Sequence, residues 1–208
     1  DGTLGALFGP VLAAPHAPDG CRVIGRLAQT LDGRIATAGG SSQWIGGPGD
    51  ILHTHRLRAL CHAVVVGAGT VRHDNPRLTT REAPGPDPLR VVLDTDRKLS
   101  ADYGIFQGGP PTLLVCAADA GGADQHGMAE VLRLPRAAGG GLAIPALLAA
   151  LKARGASRIF VEGGGLTVSR FLAAGCLDRL HVTVAPVLLG SGIPAFTLPE
   201  VARIADGL

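Results

Sequence analysis

Charge is scarce in this sequence. Asp, Glu, Lys and Arg make up 17% of 208 residues, below the quarter usual for globular domains. The 19 basic and 17 acidic residues give a formal charge of +2, which excludes a protein built mainly to hold nucleic acid. Long apolar runs are also missing. The longest, Leu142 to Leu151, is ten residues interrupted by Pro145, whereas a membrane span needs about 20. A mean hydropathy of +0.29 therefore points to a buried interior, not a bilayer segment. The four cysteines (Cys21, Cys61, Cys116, Cys176) form no CxxC pair, and read as free, mostly buried thiols of a reducing cytosol. No HxE, HExxH or paired CxxC is present, and His53 and His55 are two apart and share no helix face, so no metal site is expected. The absence of GxxxxGKS or GxxxxGKT excludes a P-loop, and the absence of GxSxG or GxCxG excludes a nucleophile elbow.

What is present is apolar punctuation of an α/β kind. Hydrophobic residues reach 46%, which excludes a disordered chain. Runs of strand length recur at Arg22–Ala28, Ala63–Val66, Leu89–Leu93, Thr112–Cys116, Val131–Leu134, Arg158–Val161 and Leu180–Val184. Several are continuous in Val, Ile and Leu without alternation, as in a mostly parallel sheet covered on both faces. Between them lie helical candidates at Asp50–Leu60, Ile144–Arg154 and Leu166–Ala174. Pro145 suits a first turn, and Gly155 and Gly175 suit helix ends. Ala83–Pro88 reads as a turn or flexible loop, and Ala117–Gly127 and Ala137–Gly141 as mobile connections. Residues 1–20 are set apart as an N-terminal arm, with Leu4–Ala14 packed on the surface rather than serving as a signal remnant. Residues 21–208 then form one domain.

Glutamate is rare: Glu82, Glu130, Glu162 and Glu200 are the only four. Glu162 alone ends an apolar strand and precedes Gly163-Gly164-Gly165 and a helix. Ligands of open α/β sheets bind beyond the carboxyl ends of strands, so Glu162 either meets a ligand or caps the next helix and pairs with an Arg. The glycine triplet lets backbone N–H groups approach an anion at a helix N-terminus, with Thr167 and Ser169 as added donors; its plain alternative is a tight turn. Gly67-Ala68-Gly69-Thr70 begins like a dinucleotide fingerprint, but Arg72 stands at the third glycine position and Asn75-Pro76 leaves room for only a short helix, so an ordinary Rossmann turn is rejected. Thr70, Asp74, Arg77 and Arg81 follow it. Asp32-Gly33 marks a turn. Trp44, the one Trp, has Gly and Ser neighbours that suit a rim or stacking role.

The ordered strings LAQTLDGRIATAGGSSQWI, HRLRALCHAVVVGAGTVRHDNPRLTTR, PLRVVLD and IFVEGGGLTVSRFLAAGCLDRLHVTVAPVLLG resemble the reductase domain of the bifunctional riboflavin-biosynthesis deaminase/reductases. The resemblance covers about residues 22–198. It implies a dihydrofolate-reductase-like α/β fold with a mostly parallel central sheet flanked by helices. It implies NADPH-dependent reduction of the ribosyl group of 5-amino-6-(5-phosphoribosylamino)uracil to ribityl, by a stand-alone reductase without the zinc deaminase domain. By position, the nicotinamide nucleotide is expected at Ala28, Trp44, Thr70, Asp74, Thr95, Gly163, Gly164, Gly165, Leu166 and Thr167, on towards Arg170. The substrate is expected at Arg34, Ser42, Arg58, Leu78, Arg81 and Glu162. Arg58 and Arg81 suit bidentate hold of the 5′-phosphate. Glu162 suits positioning of polar groups and a catalytic part in protonating the ring oxygen. Arg97 and Arg170 are candidates for the 2′-phosphate of NADPH, or else solvated surface charges. A cytoplasmic homodimer is implied as well. The chain departs from the pattern at Gln29-Thr30, Thr95 and Leu166-Thr167, and stops at Leu208, before the family's last strand usually ends. The alternatives are a same-fold reductase of a dihydrofolate-like or other pterin or pyrimidine substrate, and a non-catalytic NADPH-binding partner subunit.

Overall fold

The computed structural model describes residues 2–15, 20–43 and 45–208; Trp44 lies outside these residues. The elements in chain order are α1 (Gly2–Leu12), β1 (Arg22–Thr30), β2 (Arg34–Thr37), α2 (Pro48–Leu60), β3 (Ala63–Gly67), α3 (Ala68–Asp74), β4 (Leu89–Leu93), β5 (Thr112–Ala117), β6 (Gln125–His126), β7 (Ala129–Leu134), α4 (Ile144–Ala153), β8 (Arg158–Gly163), α5 (Gly165–Ala173), β9 (Arg179–Ala185) and β10 (Gly192–Pro194). Among the described residues, eight strands form one sheet in the order β6-β7-β5-β4-β3-β8-β1-β9. Every pairing is parallel except the short β6–β7 hairpin. The seven strands expected from apolar runs all form.

The strands without polar alternation are buried on both faces. Neighbouring residues of β3 feed opposite cores: Val65 packs with Val91, Val161 and the α4 and α5 residues Leu147, Leu148, Leu151, Val168 and Phe171. Val64 and Val66 pack with Val92, Leu114, Phe160 and residues of α2, α3 and α1, namely Leu57, Val71 and Val11. Side chains of this size contribute about 1.5–3 kcal/mol each when fully buried. That is enough for local charge and turn chemistry to be positioned by the sheet.

Helix α1 and strands β2, β6 and β10 were not foreseen. The segment read as an arm holds helix α1, with Val11 at 0% exposure. Gly2, Gly5, Gly9 and Pro10 give it poor intrinsic helix propensity, so packing supplies what propensity does not. β6 falls inside a connection expected to be mobile, and β2 pairs with β10 as a separate antiparallel ribbon. Turn chemistry is as expected elsewhere. Gly155 and Gly175 follow α4 and α5 with φ of 82° and 63°. Gly33 closes the turn after β1 with φ 72°, and its N–H donates to Thr30 O. Asp32 beside it accepts from the Thr30 hydroxyl at 2.6 Å and from the Leu189 and Gly190 N–H groups. Those bonds, the Thr30 hydroxyl first, hold its carboxyl down at about 2.

Candidate active site

The parallel strands β1, β3, β4 and β8 end side by side, and their carboxyl ends open into a cavity of about 910 Å³. Ligand sites range roughly from 300 to 1,000 Å³, so this cavity lies at the large end. The β2–β10 ribbon closes part of it through Ile35, Ala36, Ile193 and Pro194.

Glu162 reaches this cavity through a break in the sheet ladder. Val65 pairs with Val161, but Val66 pairs with Gly163. Glu162 is thus the extra residue of a β-bulge, and a bulge re-aims the side chain it expels. The Glu162 carboxylate is met by the Arg58 guanidinium on α2. Nε donates to Oε2 at 2.7 Å, Nη2 donates to Oε1, and Nη1 donates to Thr79 O at 2.8 Å. Both side chains are largely buried, at 8% and 15% exposure. The two readings of Glu162 therefore merge: it pairs with an Arg and lines the cavity.

The glycine triplet forms the adjoining wall. The Gly163–Gly164 peptide is cis. Gly163 has φ 141°, a region that side chains rarely adopt, and a Cβ on Gly165 would lie 2.4 Å from Ala195 O. Among the described residues no side chain caps the α5 N-terminus, which begins at Gly165 after the N-cap Gly164. The Thr70 hydroxyl lies 3.4 Å from where a Cβ on Gly164 would stand. Thr167 is buried and lines the same wall.

Ala28, Ser42, Thr70, Asp74, Thr95, Arg58, Arg81, Glu162, Gly163, Gly164, Gly165, Leu166, Thr167 and Arg170 all line the cavity, so the structure gathers most of the expected set. Burial, reinforced by the Glu162 charge against the pull of His73, pushes the Asp74 carboxyl above its ordinary value. Arg34 and Leu78 do not reach the cavity wall. Arg34 donates through Nε to Gly190 O, tying the ribbon to the turn that follows β9. Leu78 is 1% exposed with φ 54° and packs into the α2–α3 core, because an apolar side chain gains more there than at a polar cavity. Arg97 is also elsewhere, donating to Gly121 O and Gln125 O.

Sequence reasoning missed Arg26, Asp50 and His55, all of which line the cavity. Arg26 pairs with Asp50, whose other oxygen accepts from the Thr183 hydroxyl at 2.6 Å. The Arg26 Nε is buried without a partner among the described residues, and desolvation lowers its proton affinity. The signal was available: Arg26 is the lone charge between Val23 and Ala28 of a buried strand, and interior charges are rare unless paired.

These features together line one cavity with paired charges and a glycine turn. Residues 22–204 match the RibD C-terminal domain family. The 2,5-diamino-6-ribosylamino-4(3H)-pyrimidinone 5′-phosphate reductase of Methanothermobacter thermautotrophicus is 34% identical over 195 residues, covering 89% of this chain and 88% of that protein. The riboflavin biosynthesis protein RibD of Mycobacterium tuberculosis is 34% identical over 88% of this chain but only 47% of its own length. The chain thus spans about half of the RibD proteins it matches. Among solved structures, the deaminase/reductase of Thermotoga maritima superposes with a TM-score of 0.74 at 28% identity, over 90% of this chain and 51% of that one. The riboflavin biosynthesis reductase of Saccharomyces cerevisiae shares the fold, with a TM-score of 0.75 at 23% identity over 98% of this chain and 91% of that one. By sequence and by fold, this chain belongs to the RibD C-terminal domain family.

Proposed function

We propose that this chain reduces the ribosyl group of 5-amino-6-(5-phosphoribosylamino)uracil to ribityl, with NADPH as the reductant. The observation that carries the reading is the bulge that places Glu162, forked by Arg58, beside the glycine turn in one cavity. The residues fit a dinucleotide: bare glycines and the uncapped α5 N-terminus suit a pyrophosphate, and the Thr70 and Thr167 hydroxyls flank it. Ala28, Asp74, Thr95, Gly163, Gly164 and Leu166 line the remainder of the cofactor wall. When bound, NADPH supplies the hydride. Ser42, Arg81 and the Glu162–Arg58 pair then hold the substrate. With both its oxygens in the Arg58 fork, Glu162 acts as an acceptor that fixes sugar or ring N–H and O–H groups. A part in protonating the ring oxygen requires that fork to open first. A second reading, the 2,5-diamino-4(3H)-pyrimidinone analogue as substrate, is supported by the relative from M. thermautotrophicus, which this chain matches along nearly its whole length.

The test is NADPH oxidation, followed at its absorbance maximum, with each pyrimidine phosphate in turn. Turnover is expected with at least one, and Glu162→Gln is expected to lower kcat/KM about a hundredfold. No turnover with either compound, while NADPH still binds, overturns the reading.

The cofactor's 2′-phosphate is assigned to Arg170. It is exposed on α5, lines the cavity and has no ion-pair partner among the described residues. Asp96, which also lines the cavity, is paired with Arg136 at 2.9 Å and Lys98 at 3.2 Å. A hydrogen bond to a charged group contributes about 1.5–3 kcal/mol. Arg170→Ala is therefore expected to weaken NADPH about tenfold and leave NADH within about twofold, read by nicotinamide fluorescence titration. Equal losses for both would remove the assignment.

The working unit is taken as a cytoplasmic homodimer, with residues 21–208 as the reductase domain. No helix of the described residues is long and apolar enough to cross a membrane. Edge strand β9 exposes Val182 and Val184, and Leu188 beyond it is 72% exposed; apolar edges of this kind are usually covered. Sedimentation as a monomer at micromolar concentration would contradict the dimer.

A further inference from the structure

The loop carrying Arg81 is attached to α2 at three points. Nη1 of Arg58 donates to Thr79 O at 2.8 Å, and Nδ1 of His55 accepts from the Arg81 N–H at 2.9 Å and from the Glu82 N–H at 3.4 Å. His55 and Arg58 are three residues apart on one helix face, and His55 is only 3% exposed. The rest of the loop closes on itself. Asp87 accepts from Thr80 N–H at 2.6 Å, and the Thr80 hydroxyl donates to Pro86 O at 3.1 Å. Gly85 packs so closely on α2 that a Cβ there would lie 2.6 Å from the Ala59 Cβ. The segment read as a flexible loop is thus fastened to the helix. Arg81 itself is exposed, lines the cavity, and uses Nη1 on the Thr79 hydroxyl.

The geometry points to His55 as a positioning residue: its neutral imidazole latches the loop to α2 and so presents the Arg81 guanidinium to an anionic ligand in the cavity. Both donors at Nδ1 are N–H groups, so this nitrogen carries no proton and the tautomer is fixed by its partners. Protonation replaces the acceptor with a third donor and releases the latch. Four charged groups act electrostatically on the ring: Arg58 from the same helix, Arg81 and Glu82 from the loop, and Glu162 from β8. Burial, then the two guanidiniums, push the imidazole below its ordinary 6.5, and the two carboxylates offset this in part. The neutral form is favoured in the fold, so the latch is closed at neutral pH and is lost as pH falls through that lowered value.

The identity of the anion, a sugar 5′-phosphate, rests on the proposed function; the latch does not. The probe is ribose 5-phosphate, titrated by calorimetry with ribose as the control, alongside steady-state kinetics. Expected are a roughly tenfold weaker ribose 5-phosphate in His55→Leu and an affinity within about twofold of wild type in His55→Asn, whose side-chain oxygen replaces Nδ1. KM should follow the same pattern with kcat nearly unchanged. Between pH 7 and 5 the wild type should lose more affinity than His55→Asn, which shares every other titrating group, the phosphate included. Equal affinity in wild type and His55→Leu, superimposable pH curves, or full binding in Arg81→Ala would each overturn the latch. Probe binding that follows His55 in an enzyme that turns over neither pyrimidine sustains the latch and defeats only the substrate assignment.

Discussion

Arg58→Met is expected to destabilise the protein by about 3–5 kcal/mol, the usual effect of leaving one member of a buried ion pair alone. For a chain of this size that is a fall in Tm of about 10 °C. The reason is local. Arg58 fills both Glu162 oxygens and the Thr79 carbonyl, and methionine satisfies none of them. Activity is expected to fall with stability, because the same carboxylate lines the cavity. The double variant Arg58→Met/Glu162→Met separates the two effects. An apolar pair of similar volume often restores stability, so its denaturation midpoint should return close to wild type while turnover stays low. A single Arg58→Met within about 1 kcal/mol of wild type would show that the pair is not buried in solution.

The second large effect is expected at Gly165. A Cβ there meets backbone: Ala195 O at 2.4 Å, with Ala195 C and Pro194 O both at 3.1 Å. Ala195 is itself 2% exposed, and its N–H donates to Gly33 O, so neither side has a flexible atom to yield. Overpacking of this kind costs about 1–3 kcal/mol. The displaced pieces are the start of α5 and the β10 wall of the cavity, so dinucleotide affinity should fall at least tenfold in Gly165→Ala. Gly164→Ala is the control: its nearest neighbour is the Thr70 hydroxyl at 3.4 Å, and the change in stability should be small. Equal losses of stability in the two variants, by thermal denaturation, would refute the role assigned to the Gly165 contact.

Much of the fold is legible in the chain because β-branched and aliphatic runs bounded by glycine leave few alternatives. Ala63–Gly67 or Thr112–Ala117 has no polar face to turn to water, and must lie inside a parallel sheet. The glycine turn and Glu162 stand out for the same local reason, as a carboxylate and three bare residues after a buried strand. Helix α1 is different. Its glycines and Pro10 hide it, and only burial of Val11 and packing of Phe8 give it a place. The ribbon of β2 and β10 joins segments more than 150 residues apart, beyond what local pattern can report.

The sequence by itself determined the parallel sheet, its two apolar faces and the position of the glycine turn, since these depend on neighbours a few residues apart. Tertiary structure decided which charges meet. The bulge beside Val66 that expels Glu162, the reach of Arg58 across from α2, the fastening of Arg81 by His55 and the diversion of Leu78 into the core are all encounters between distant segments. Whether a charge or an acceptor is paired depends on distances of a few ångströms that chain spacing does not encode, and only the folded sheet sets them.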